Sequence, residues 1–185
     1  KKNILYSEII NKEIYILPIF KKNNQVFIYN QNFFYEEWNK VFLKDLVEFI
    51  LPVENIEVIQ NVNLNRENML NLNLKDLFSE FEGKNLALIL IEDTGSKIEK
   101  VYLRTSIMKK NIDKSLIIER SNLNSDEFYK NIISKVSEEI INLIKSQNLI
   151  DIKTPSFINT TLQISKKNNL VELNERLKNI ELIDE

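Results

Sequence analysis

Three carboxylates, Glu54, Glu92 and Asp93, fall where a layered chain could gather them. Glu54 follows the apolar run 46–51, and Glu92 with Asp93 closes the apolar run 86–91. In an open α/β sheet the carboxyl ends of parallel strands share one crevice, with residues 18–20 at the third such end. Oxygen ligands converging there hold a hard cation such as Mg2+ or Ca2+, which is the chemistry of a metal-dependent enzyme. A plainer reading competes, because Asp93-Thr94-Gly95-Ser96 is ordinary turn chemistry and Glu92 is a strand-end charge. The plainer reading carries more weight. No Gly-rich phosphate loop accompanies the acids, and a chain with two glycines cannot build one. No metal or other cofactor is assigned.

A second group is aromatic: Tyr29, Phe33, Phe34, Tyr35 and Trp38, interleaved with Asn and Gln. Exposed rings spaced like this make a stacking platform for a glycan or single-stranded nucleic acid, or a patch for a protein partner. A nucleic-acid platform wants a positive groove, yet Glu36 and Glu37 sit inside the segment 29–38. The candidates for partner contact are Tyr29, Phe33, Tyr35 and Trp38, and the plainer reading that competes packs Phe34 and Trp38 as helix core with Tyr35 outside.

Other reactive classes close quickly. With no His and no Cys, tetrahedral zinc, haem His ligation, Cys nucleophiles and His-based triads are excluded. No disulfide can form, so redox compartment leaves no mark. No Ser lies in a Gly-x-Ser-x-Gly context, and Ser134 beside Lys135 sits mid-helix without supporting motifs. Catalysis is the lesser reading. A formal net charge of -2 gives no pull toward nucleic acid, and no apolar run approaches the ~20 residues that span a bilayer. Lys, Asn and Ile are abundant while Arg, Ala and Gly are scarce, a nucleotide-composition bias that strips meaning from pairs such as Lys21-Lys22.

The elements that must position these residues centre on 86–91, Leu-Ala-Leu-Ile-Leu-Ile, apolar without alternation. Such a strand is covered on both faces. Ahead of it, 13–20 is a β-branched and aromatic strand whose Pro18 marks a sheet margin or bulge. Residues 21–24 turn and 25–29 return as a short strand. A helix is expected over 32–44, a strand over 46–51, helical turns over 53–60 and 65–70, and a helix over 73–81 stopped by Gly83. After the buried strand come an alternating strand over 97–108, a turn at 111–114 and a strand over 115–120. Asn124 and Glu127 then have capping-box spacing, with Leu123 and Phe128 as staple, and Phe128, Ile132, Val136, Ile140, Leu143 and Ile144 line a long helix. The class is α/β: a layered α/β/α domain over 1–152 with a mixed, mainly parallel sheet ending in an antiparallel meander. After the linker at Lys153-Thr154-Pro155, residues 156–185 read as the start of a small β-α-β domain. Opening on Lys1, the chain is expected to continue upstream into a targeting signal and further domain, and downstream to complete that unit.

The runs Ile14-Tyr15-Ile16-Leu17-Pro18-Ile19-Phe20 and Phe27-Ile28-Tyr29, the aromatic helix ending at Trp38, and Phe49-Ile50-Leu51-Pro52 carry a resemblance. In order and spacing, from about residue 12 to 92, they are similar to a family of uncharacterised proteobacterial periplasmic or envelope proteins. Members of that family have a Val-Leu-Val-Leu-Pro-Val-Tyr strand, an Asp-Pro-Asn-Pro-Trp segment, a Val-Pro-Leu strand and a small C-terminal β-α-β unit, which the tail from Phe157 resembles. Here Tyr29 and Phe34 stand at the family's Trp positions, and its Asp-Pro-Asn-Pro turn reads Asn30-Gln31-Asn32-Phe33. The order of elements is also similar to the N-terminal domain of periplasmic translocation and curli-secretion proteins, which bind partners. The resemblance implies a periplasmic or membrane-associated, non-catalytic adaptor or assembly module whose partners are other envelope proteins. It carries no catalytic residues across, and it leaves oligomeric state open.

Overall fold

A computed structural model describes residues 13–38, 40, 47–121 and 123–147 of the chain. By contact density the chain divides into two compact units, Lys1–Ile150 and Asp151–Glu185. The second, with its expected β-α-β order, lies outside the described residues.

The strands are β1 (Glu13–Lys22), β2 (Gln25–Phe27), β3 (Glu48–Ile50), β4 (Leu86–Asp93), β5 (Ile98–Ile107) and β6 (Lys110–Glu119). The helices are α1 (Phe33–Trp38), α2 (Ile56–Leu64), α3 (Leu74–Leu77) and α4 (Ser125–Gln147), with short 3-10 turns at Met69–Asn71 and Ser79–Phe81. One mixed sheet runs β2-β1-β4-β5-β6, and β3 pairs the other end of β1. The ladders of β1 with β4 and with β3 are parallel, whereas β1–β2, β4–β5 and β5–β6 are antiparallel. The parallel part is thus confined to β3, β1 and β4, and the meander is the larger share.

β4 explains the layering. Successive strand residues point to opposite faces. Ala87, Ile89 and Ile91 enter one core with Val101, Leu103, Phe128, Ile132, Val136 and Ile140. Leu86, Leu88 and Leu90 enter a second core with Val58, Val62, Leu74, Leu77 and Phe78. Because both faces are roofed, by α1 and α4 on one side and by α2 and α3 on the other, no polar alternation is possible in this strand.

Pro18 sits inside β1, opposite Ile89 of β4, rather than at a margin. The N and C=O of a strand residue face the same edge, and the Pro18 carbonyl accepts from Asn32 Nδ2 at 2.9 Å. Its missing N–H therefore faces the gap between the β3 and β2 pairings, and the ladder to β4 loses nothing. Asn32 is fully buried in that gap. It also donates to the carbonyls of Ile28 (2.8 Å) and Phe27 (3.1 Å), while its Oδ1 accepts from Phe34 N at 3.0 Å and caps α1. One side chain replaces the strand that is missing there.

Several boundaries move. The turn expected at 111–114 lies at Met108 and Lys109, both with positive φ (50° and 65°). Asn85 Oδ1 accepts from Met108 N at 3.0 Å and holds that turn, so tertiary anchoring overrides the Asn111 signal. The helix expected over 73–81 breaks into α3 and a 3-10 turn, and 65–70 yields a 3-10 turn only at its end. Helical turns expected over 53–60 start later, at Ile56, where Asn55 Oδ1 accepts from Glu57 N at 2.8 Å. α1 runs from Phe33 to Trp38; residues 39 and 41–46 of the expected helix lie outside the described residues. α4 begins as expected, Glu127 N donating to Asn124 Oδ1 (2.9 Å) and Asn124 N to Glu127 Oε2 (3.3 Å). Leu123, the expected staple partner, stays exposed.

Candidate functional site

The carboxyl ends of β1 and β4 lie side by side, Lys21 opposite Glu92 and Lys22 opposite Asp93. Strand alternation then separates the two acids. Glu92 pairs with Lys21 at 3.0 Å on the face roofed by α2 and α3. Asp93 points to the α4 face, where Lys22 Nζ stands 3.2 Å from its Oδ2. Glu54 lies elsewhere again, its Oε2 accepting from Asn30 Nδ2 at 3.1 Å. The three acids do not converge, and among the described residues no three His, Cys, Asp or Glu side chains group as metal ligands.

Asp93 instead anchors a closed charge cluster. The Tyr129 hydroxyl donates to its Oδ2, Lys22 Nζ donates to that hydroxyl at 2.9 Å, and Gly95 N donates to its Oδ1 at 3.0 Å. Arg120 Nη2 reaches Asp93 Oδ1 at 2.6 Å and Glu99 Oε1 at 3.6 Å, and its guanidinium lies 4.4 Å from the Phe128 ring centre. Glu99 accepts from the Thr94 and Ser96 amides at 3.0 Å each. Burial alone pushes the Asp93 carboxyl up, but the Tyr129, Gly95 and Lys22 hydrogen bonds and the Arg120 charge together hold it at about 2. The hydrogen bond to Tyr129 raises Lys22, and burial raises Tyr129. At neutral pH Asp93 is therefore an anion beside a protonated Lys22 and a neutral Tyr129 phenol. The cluster ties the ends of β1, β4, β5 and β6 to the start of α4. Arg120 signals it in the sequence: where composition disfavours arginine, one that remains is worth following, and Arg104 likewise reaches the Leu72 carbonyl (2.6 Å) and Asp113 (3.3 Å).

The aromatic residues also divide. Trp38 and Phe34 are buried in the α4-side core, with Phe33 packed against it 5.3 Å from the Tyr129 ring. Tyr29 is buried in the other core, its ring 5.4 Å from and at 88° to that of Tyr35. Burial pushes the Tyr29 phenol up to about 12 and raises Tyr35, whose hydroxyl donates to the Pro52 carbonyl at 2.7 Å. Trp38 and Tyr29 thus belong to the cores on opposite faces of the sheet, and α1 contributes to both through Phe34 and Tyr35. No ligand can stack on Trp38 and Tyr29 together.

The structure does bring together one residue from each expected group. Tyr29 and Glu54 line a groove of about 480 Å3 between β2 and α2, with Val26, Ile59, Asn63 and Arg66. Beside it, α2 turns Val58 and Val62 inward, yet leaves Ile56 70% and Leu64 86% exposed, with Val53 just ahead at 85%. Ile56 and Leu64 are two helical turns apart and share the outer side. Glu57 is the lone charge in the helix sequence IEVIQNVNL. Periodicity alone misses this face because it assigns apolar residues to cores. The available signal is an excess: Val53, Ile56, Val58, Ile59, Val62 and Leu64 are too many for one inward stripe.

No helix among the described residues is long and apolar enough to cross a membrane. No family model and no curated protein matches the chain. A solved crystal structure of an uncharacterised protein is similar over 75% of this chain and 93% of its own, at 8% identity and a TM-score of 0.27. A likeness of that size carries no argument about fold or function.

Proposed function

We propose that this domain is a non-catalytic module that binds a protein partner through the outer face of α2, as an adaptor or assembly component of the cell envelope. The observation that carries the reading is the exposure of Ile56 and Leu64 on a helix with a single charge, and of Val53 just ahead of it, beside an open groove. Exposed apolar side chains with little charge around them suit an interface, and here Ile56 and Leu64 stand on either side of the uncharged Gln60. The envelope part rests on the family resemblance of the strands around Pro18 and Pro52. The separation of Glu54, Glu92 and Asp93 weighs against the metal-dependent enzyme, and the burial of Tyr29 and Trp38 weighs against a glycan or nucleic-acid platform.

A photo-crosslinking residue placed at position 56 or 64 tests the contact in the native cell. The expected result is one discrete adduct from those positions and none from Lys75 on α3. The adduct should disappear when the other of the two positions carries Lys. Equal adducts from all three positions, or none, would end the proposal for this face. Recovery of the full-length protein in the cytosolic fraction alone would remove its envelope part.

A further inference from the structure

β6 closes the sheet on the side away from β2, and among the described residues no strand pairs with its outer edge. A two-residue hairpin closes on a hydrogen-bonded pair, here Ile107 with Lys110, and such pairs alternate along the ladder. Lys110, Ile112, Lys114, Leu116 and Ile118 therefore spend their N–H and C=O groups on β5. Asn111, Asp113, Ser115, Ile117 and Glu119 point theirs outward, and none of them has a backbone partner among the described residues. The Thr105 hydroxyl donating to the Ile112 carbonyl at 3.0 Å agrees with that parity. Proteins blunt such edges with charged side chains, proline, bulges or short strands, and of these β6 has the charges of Lys110, Asp113, Lys114 and Glu119. β6 has ten residues in unbroken register and no proline, and it carries Leu116-Ile117-Ile118 with Ile117 70% exposed.

The strand is also complementary to itself. Two identical edges related by a two-fold axis normal to the sheet pair antiparallel, and each residue then opposes one on the same face. An axis at Asp113 sets Asp against Asp, and one at Lys114 sets Lys against Lys. An axis at Leu116 sets Asp113 against Glu119, and one at Ile117 engages only Ser115, Ile117 and Glu119. An axis at Ser115 engages all five outward residues. It sets Asn111 against Glu119, Ile112 against Ile118, Asp113 against Ile117 and Lys114 against Leu116, with small Ser115 side chains meeting at the centre. No like charges oppose one another within that segment, and Lys114 is already held by Glu139 of α4 at 2.5 Å. Just beyond it Lys110 faces Arg120, whose guanidinium is turned inward onto Asp93 and Glu99.

We propose that two copies of this chain associate edge to edge through β6, antiparallel about a two-fold axis at Ser115, so that their sheets become one. The contact is smaller than a standard protein interface, so the association is concentration-dependent. It is independent of the partner assigned to α2.

The full chain has no cysteine, so single thiols report the register. Opposite Ser115 positions lie about 5.5 Å apart between Cα atoms, within disulfide reach. Opposite copies of Asp113, or of Ile117, lie four residues apart along the strands, roughly 13 Å. On mild oxidation Ser115→Cys should form a covalent dimer, while Asp113→Cys and Ile117→Cys should form little. In sedimentation the wild-type mass should rise toward twice the monomer with concentration. Ile117→Pro, which removes only an outward N–H, should stay monomeric; Ser115→Lys, with like charges at the axis, should do the same if the proline variant fails to fold. A wild type that remains monomeric at its solubility limit overturns the proposal. So does faster cross-linking at 113 or 117 than at 115, or a wild-type dimer that both variants leave intact.

Discussion

The two faces of the sheet are covered in different ways. On one, the 23-residue helix α4, with the short α1 beside it, turns Phe128, Ile132, Val136, Ile140 and Ile144 onto the strands, and the Asp93 cluster pins its start. On the other, α2, α3 and two 3-10 turns share the work in short pieces, and α2 leaves Ile56 and Leu64 exposed beside Glu57, Gln60 and Asn63. A long amphipathic helix uses its apolar residues once, on the core. In α2 the core takes Val58 and Val62, and Ile56 and Leu64 are left outside it. The difference separates the part of the domain that holds it together from the part available for contact.

Truncations on the α4 face should therefore cost most. Phe128→Ala removes a fully buried ring under Arg120 and should destabilise by about 3–5 kcal/mol in equilibrium denaturation. Asn32→Ala comes next, at about 3 kcal/mol, because it strands the buried carbonyls of Pro18 and Ile28 and the Phe34 amide. A loss below about 1 kcal/mol would mean that water fills the gap beside Pro18 as well as Asn32 does.

Asp93→Asn should cost about 2 kcal/mol at neutral pH by weakening charge-assisted bonds from Arg120 and Lys22. Its signature is in pH. The carboxyl titrates at about 2 in the folded state, below the ordinary value of about 4, so the unfolded chain binds more protons in that window. The stability that Asp93 adds is complete above about pH 4 and is lost as pH falls through the folded value. Urea midpoints from pH 6 down to pH 2 should fall more steeply for the wild type than for Asp93→Asn. Parallel curves would show that the cluster does not hold this acid. Ion addition should do least: millimolar Mg2+ or Ca2+ should leave the melting temperature unchanged, since Glu54, Glu92 and Asp93 face different ways. A clear rise would restore the cation reading.

The legible part of the fold was the part written in long runs. The unbroken apolar stretch around Ile89 implied a doubly covered strand, and the spacing from Asn124 to Ile144 implied α4, because burial on one face or two leaves a period in the sequence. Short elements leave no such trace. The Met108–Lys109 turn has neither Gly nor Asn, and it is held by Asn85, distant in sequence. The candidate site was harder still. Glu92 and Asp93 are neighbours in sequence and therefore opposite in a strand, so proximity along the chain misled where alternation decides. Tyr29 and Trp38 were separated by the sheet in the same way, and only Tyr29 and Glu54 came to share a groove.

The central claim is that the outer face of α2 is open surface rather than core. The stability of the double variant Ile56→Lys, Leu64→Lys tests it most directly, measured by urea denaturation of the purified full chain. The account predicts a change within about 0.5 kcal/mol of the wild type, as for exposed positions. A loss of about 2 kcal/mol or more, the scale of a buried apolar residue made polar, would contradict it.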